Sequence, residues 1–454
     1  MTSEFETVAP STTGDAPRRP AATFCAFMVI ASLVLPANLV LGGPLRSLGS
    51  ASRVLGLLAL ILVLVVFVQQ NAARSMWGTR VPGSRVVPAV LIVYTLTMLA
   101  LHGAGERRLM SSAEADGGTR FLIGTLAMLG VGLAVALFVS TRRDLHTVMR
   151  AVTFGAAFSA LVGIIQSRTT LDLAAILRLP GLALSTTVST ELRNDLTRVI
   201  GSAAHPIEFS VIMGAAVPVA LWLTTYSATT ARRQAAGVAV ALLLIAVPFG
   251  ISRSGILGLL VALGCYAMVW SWRQRLTALA CALGGLIVYR FVQPGILGTL
   301  FGLFTNASTD NSVLARQQDY PRVDAMMEGR ELFGIGPGTF QPDVYFILDN
   351  QFLGSYVEGG VVGVVAFASV PTVGLVVAHL ARRRATDRAT RDAAQAVFAA
   401  IAGTTVCGFT FDLLAFQQVA FLLFVYVGLA SAILVVAATG VATPEETETG
   451  VAAR

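Results

Sequence analysis

From Val54 to Gln70 the chain reads VLGLLALILVLVVFVQQ, a run without a charge or a proline. At 1.5 Å of rise per residue, an α-helix of that length is about 25 Å long, close to the roughly 30 Å hydrocarbon core of a bilayer. A helix that is apolar around its whole circumference belongs either in a large protein core or in lipid. The composition decides between them. Hydrophobic residues make up 55% of the 454 and charged residues 13%, whereas a soluble domain carries roughly 25% charged residues. Mean hydropathy is +0.74. The bilayer is the solvent, and runs of this length call for helices, because a spanning segment must satisfy its backbone internally.

Working outward from that run, spans are expected near 24–42, 54–70, 86–101, 121–139, 148–166, 206–225, 236–250, 255–271, 276–292, 351–379, 394–411 and 417–437. The expected fold is all-α, a polytopic membrane bundle of about 12 helices, with a long outer loop between the ninth and tenth spans. The segment at 236–250 is short for a span, and 351–379 is long enough to tilt or project. Residues 1–22 read as a disordered cytoplasmic tail, 23–440 as a single transmembrane domain and 441–454 as a second cytoplasmic tail with acids at Glu445–Glu448. The run Phe24–Leu41 follows Arg18 and Arg19 as a signal peptide would. It lacks a small-residue cleavage site and more spans follow, so it reads as the first anchor.

All 32 basic residues are arginine. With the N-terminus in the cytoplasm, 18 of them fall in inside segments and every short inside loop holds at least two, as the positive-inside rule requires. The net charge of +7 therefore sets topology, and nucleic acid is not an expected partner. Cys25, Cys265, Cys281 and Cys407 lie in apolar segments and His102, His146, His205 and His379 are far apart, so neither a disulfide framework nor a metal site is expected. No cofactor is expected. Two outside loops, about 167–205 and about 293–350, each contain an apolar stretch too short to span, Leu171–Leu184 and Ile296–Phe304, which reads as a re-entrant or interfacial helix.

Four polar clusters mark the outer face. The first runs from Arg198 through His205 and Pro206 to Glu208. Pro206 suits the first helical position and Glu208 the first turn, and capping alone would account for His205 and Glu208. The second, Ser252-Arg253-Ser254-Gly255, is a turn with almost no loop, where an arginine against apolar helices is costly unless it meets an anion or a carboxylate. The third places Arg316 on a short amphipathic helix, followed by Gly334-Ile-Gly336-Pro337-Gly338. That glycine run has no preceding strand or βαβ context, which excludes a dinucleotide fingerprint. The fourth is Asp349-Asn350, which opens the tenth span, with Glu358 about two turns further in, where an unpaired carboxylate is expensive. Gly359, Gly360 and Gly363 mark a face for close helix packing. Arginine forks bind phosphate oxygens, and a nearby carboxylate can take a proton from a hydroxyl. Together they can displace a diphosphate leaving group without a metal or a covalent nucleophile.

Taken in order, Ser252-Arg253-Ser254-Gly255, Arg316 with the Gly334–Gly338 segment, and Asp349-Asn350 with Glu358, Gly360 and Gly363 resemble the O-antigen ligase and polymerase family of integral-membrane glycosyltransferases. Arg198 to Pro206 is a looser match. The resemblance implies a bundle related to GT-C-type transferases, in the inner cell membrane with both termini cytoplasmic and the active site on the outer face. It also implies a glycan donor on undecaprenyl diphosphate and a glycan or other hydroxyl acceptor, with membrane lipids and other polysaccharide-assembly proteins as partners. By that analogy Arg253 and Arg316 bind the diphosphate, Asp349 stands where the ligases usually carry a histidine base, and Arg198, His205, Asn350 and Glu358 bind substrate. The missing histidine favours a repeat-unit polymerase for an exopolysaccharide or capsule, or ligation to a different acceptor, within the wider choice of exopolysaccharide, capsule or O-antigen polymerase or ligase. The rival readings are a flippase or transporter of lipid-linked glycan, a peptidoglycan-type polymerase and a membrane scaffold. A transporter would place its charges near the bilayer midplane and often shows inverted repeats.

Overall fold

The computed structural model describes residues 19–439 except 44–45, 47–48, 70–80, 106–109, 170, 179, 186–191, 194–195, 293–294 and 306–310. The tail expected at 1–22 lies mostly outside the described residues, and that expected at 441–454 lies wholly outside them. The first helix begins earlier than expected, at Arg19. The described chain is almost entirely helical. In order, the helices are α1 (Arg19–Val34), α2 (Ala51–Gln69), α3 (Val86–Gly105), α4 (Ser112–Phe138), α5 (Arg142–Gln166), the single turn α6 (Leu173–Ile176), α7 (Pro206–Tyr226), α8 (Thr230–Ala246), α9 (Arg253–Tyr266), α10 (Trp272–Val292), α11 (Ile296–Thr305), α12 (Asn311–Met327), α13 (Gln351–Arg384), α14 (Arg388–Cys407) and α15 (Gln417–Thr439). Among the described residues, 8 helices are long and apolar enough to cross a membrane. The remaining expected spans fall on α1, α9, α10 and α14, which are shorter or more charged.

Consecutive spans alternate in direction because one end of the bundle is closed by very short turns at 139–141, 227–229 and 385–387. At that end Arg142 donates to Asp387 at 2.5 Å. The long connections at 167–205 and 293–350 both emerge at the other, loop-rich end. α15 is apolar all round, and its whole membrane-length window is buried, which makes it the axis of the bundle. Its first turn is anchored by polar groups. The Gln418 amide donates to the carbonyls of Ser32, Leu35 and Ser202.

Small residues set how closely α2 and α4 cross. A Cβ on Gly56 would sit 2.6 Å from the Ala127 carbonyl oxygen, and one on Gly130 would overlap the Gly56 carbonyl. Backbones that approach this closely need glycine on both faces. Gly130→Leu is therefore expected to destabilise the fold by about 3 kcal/mol or more, read as a lower thermal midpoint or lost monodispersity in detergent. An unchanged midpoint would mean the helices are not so close.

The structure corrects three expectations. Leu171–Leu184 is not a re-entrant helix: it makes the turn α6 and then strand β2 (Leu182–Leu184), antiparallel to β1 (Leu39–Leu41). Pro180 and Gly181, the latter at φ +90°, break the helix there. A two-residue hairpin, β3 (Leu192–Arg193) with β4 (Leu196–Thr197), completes that loop. The seventh span is not short, because Thr229 caps it and a 3₁₀ turn at Val247–Gly250 extends it, so that it runs over Thr230–Gly250. The long tenth span is 34 residues and is broken inside at Gly360, at φ 61° and ψ −158°.

Candidate active site

The kink in α13 is the centre from which the site is built. At Gly360 the helical ladder is interrupted, and the segment Glu331–Gly336 takes up the freed backbone groups. Ile335 and Gly336 donate to the carbonyls of Val357 and Glu358 at 3.0 and 2.9 Å, and Val361 donates to Glu331 at 2.8 Å. The glycine run is thus a clip on a broken helix. Gly334 and Gly336 lie at φ +65° and +113°, and a Cβ on Gly334 would stand 2.5 Å from the backbone of Glu358. Beyond the clip, Gly338 and Phe340 donate their backbone N–H groups to the Glu358 carboxylate. His102 meets the Pro337 carbonyl at 3.1 Å.

The start of α13 is stitched to the 408–416 loop. Gln351 N–H donates to the Gly408 and Phe411 carbonyls, and the Gln351 side-chain oxygen accepts from Leu414 N–H at 2.6 Å. This places Asp349 and Asp412 near each other. Asp412 accepts a backbone N–H from Ala415. Burial, reinforced by the Asp349 charge, pushes its carboxyl up to about 6 from an ordinary 3.8. Arg316, on α12, pairs with Asp349 at 3.5 Å and donates to the Thr410 carbonyl at 2.9 Å.

From Thr410 the polar chain runs on to the second cluster. The Thr410 and Ser254 hydroxyls are 2.7 Å apart, and Arg253 precedes Ser254 at the first turn of α9. The turn before it holds Ile251 at φ 45°, a conformation that is a genuine outlier for a β-branched residue. Arg198 donates from Nε to the Gly250 carbonyl of the same turn at 3.1 Å. Arg198, Arg253, Arg316 and Asp349 therefore lie along one line at the loop-rich end.

Asp349, Glu358 and Asp412 face a cavity of about 430 Å³ at that end, walled also by Tyr94, Phe340, Phe416 and Phe424. Neither Arg253 nor Arg316 lines it. Arg316 pairs with Asp349, which does line it, and Arg253 adjoins Ser254 at the start of α9. The arginines that do line it, Arg53 on α2 and Arg120 on α4, were missed by the sequence reading, as was Asp412.

Other expected site residues have clear structural partners. Asn350 caps α13, its side-chain oxygen accepting from Phe352 and Leu353 at 3.0 and 3.1 Å. His205 caps α7 by accepting from Ile207 at 3.1 Å, and its ring packs 5.4 Å from Phe416. Glu208 is fully buried and accepts from the backbone of Ala204, Gln418 and Val419, joining the starts of α7 and α15.

Residues 238–368, from α8 through the kinked start of α13, match the model of one protein family. It is the O-antigen ligase family. No curated protein matches the chain. The O-antigen ligase match contains Arg253, Arg316, the glycine clip, Asp349, Asn350, Glu358 and Gly360, and leaves Arg53, Arg120, Arg198, His205 and Asp412 outside it. It supports a membrane glycosyltransferase of the O-antigen ligase and polymerase type.

Proposed function

We propose that the chain transfers or polymerises glycan from an undecaprenyl-diphosphate carrier on the outer face of the inner cell membrane, as a repeat-unit polymerase or a ligase. The observation that carries this reading is the cavity bearing Asp349, Glu358 and Asp412, built around the kink that lies within the matched segment. The arginine-rich short turns support a cytoplasmic short-turn end and hence an outer cavity.

In this mechanism Asp412 accepts the proton of the acceptor hydroxyl. A carboxylate titrating near 6 is ionised at neutral pH yet basic enough to help. Asp349, held by Arg316, orients that hydroxyl. The acceptor oxygen bonds to the anomeric carbon of the donor sugar, the carbon–oxygen bond to the diphosphate breaks, and lipid diphosphate leaves with the electron pair. Arg316, paired with Asp349, supplies positive charge beside the site as negative charge grows on the leaving group.

The test is reconstitution of the purified protein in vesicles with a lipid-linked repeat unit. Chain extension with stoichiometric release of polyprenyl diphosphate is expected, and Asp349→Asn should slow it by about 10²-fold or more. Movement of the intact lipid between leaflets with no diphosphate released would replace the transferase with a flippase.

A further inference from the structure

Arg53 and Arg120 are the two cations that line the cavity, and neither has a carboxylate partner among the described residues. Arg120 donates to the Gln341 side-chain oxygen at 3.2 Å, and that glutamine is itself fastened to the Gly338 carbonyl. The Arg53 Nε is buried and has no hydrogen-bond partner among the described residues. The two guanidinium groups are within Coulombic reach of each other and repel. Two like charges in a partly desolvated cavity at the end of a membrane bundle are costly, and an anion between them removes both the repulsion and the unmet donors.

The backbone is shaped to hold them there. The close crossing of α2 and α4 at Gly56 and Gly130 brings Arg53 over Gly124, where a Cβ would stand 3.6 Å from its Nε. Arg120 lies one turn before Gly124 on the same helix. The floor beneath Arg120 is also built from close approaches, because a Cβ on Gly117 would overlap Gln341 and the Gly338 carbonyl. Both arginines sit outside the segment that matches the ligase family.

We infer that Arg53 and Arg120 form a clamp for the diphosphate of the carrier lipid, on the α2–α4 wall of the cavity that bears Asp349 and Asp412. This rests on the transferase reading of the same cavity. Guanidinium forks take phosphate oxygens in pairs and remain charged when partly desolvated. Two forks suit the two phosphates of a diphosphate better than the single phosphodiester of a membrane lipid headgroup.

The test measures binding of undecaprenyl diphosphate and of phosphatidylglycerol to the purified full-length protein by native mass spectrometry, with glycan transfer assayed in parallel. Wild type is expected to prefer the diphosphate by about tenfold or more, and Arg53→Gln and Arg120→Gln each to weaken it by about tenfold. Arg53→Lys, which keeps the charge but loses the fork, should recover only part of the affinity. That partial recovery also separates a binding loss from misfolding. Arg273→Gln, on the exposed start of α10 at the short-turn end, should bind as wild type. Diphosphate binding unchanged in both glutamine variants would overturn the clamp and leave the transferase reading standing if transfer persists. Equal affinity for phosphatidylglycerol, lost in the same variants, would also overturn it in favour of a lipid-headgroup site. Diphosphate binding that depends on both arginines, without any transfer by wild type, would keep the clamp and remove the transferase.

Discussion

Asp412→Asn is expected to lower glycan transfer by about 10²–10⁴-fold while leaving the protein at least as stable as wild type at neutral pH. The two halves of that result come from one cause. Burial holds the Asp412 proton more tightly in the folded protein than in the unfolded chain, moving its pKa from 3.8 to about 6. A raised carboxyl pKa gives the fold a stabilising contribution that is complete below 3.8 and is lost as pH rises through about 6. At pH 7.5 the ionised group is therefore a cost, and an asparagine that keeps its shape removes that cost. For catalysis the sign is reversed. The base must be ionised, so wild-type transfer should fall as pH drops through about 6. Asp412→Asn should lose that limb and not merely scale it. The checks are a pH–rate profile and a thermal midpoint at pH 7.5. A wild-type profile flat through pH 6, or a variant with full turnover, would return the role of base to Asp349.

Asp412 shows why part of the site escaped the sequence. It is the one charged residue between Asp392 and Glu445, a signal strong enough to single it out. It falls between two expected spans, where an acid reads as a solvated loop residue, and only the stitching of that loop to Gln351 buries it. Arg53 is likewise alone between Arg46 and Arg74, but an arginine at a helix end is usually a snorkelling one. Its meaning comes from the Gly56–Gly130 crossing, a contact between distant residues that no local period encodes. The spans themselves were legible because long uncharged runs and arginine-rich turns act locally. Glu358 could be singled out because an unpaired carboxylate inside a span is costly. Asp349 could be because it opens a span, and Arg316 because it falls on a short amphipathic helix of the long loop. Such reasoning has no geometry in it, so it could not tell that Asn350 is occupied with the start of α13. Nor could it show that Arg253 is not among the residues lining the cavity. For His205 and Glu208, by contrast, helix capping already offered the account the structure gives.

Gly360→Leu is expected to abolish transfer while the protein still inserts as a helical bundle. Gly360 occupies a backbone region, φ 61° and ψ −158°, that is essentially confined to glycine and costs other residues about 1–3 kcal/mol. The strain is the smaller effect. A Cβ there would overlap the Leu332 backbone, and that segment cannot retreat freely because Glu331 and Leu332 accept from Val361 and Val362. Relief requires either straightening α13 or lifting the Glu331–Phe340 clip. Straightening α13 turns Glu358, two residues before the kink, out of register with Gly338 and Phe340. Lifting the clip carries away Phe340 and Gln341, and with Gln341 the partner of Arg120. Either movement dismantles two walls of the cavity at once, whereas the α15 axis and its packing lie elsewhere. The expected result is thus transfer below detection with unchanged helical circular dichroism and membrane yield. Gly284→Ala, where a Cβ meets nothing within 4 Å, should behave as wild type. If Gly360→Leu retained activity, the kink would not be what shapes the cavity, and the carboxylates on it would have to be held in place by the 408–416 loop alone.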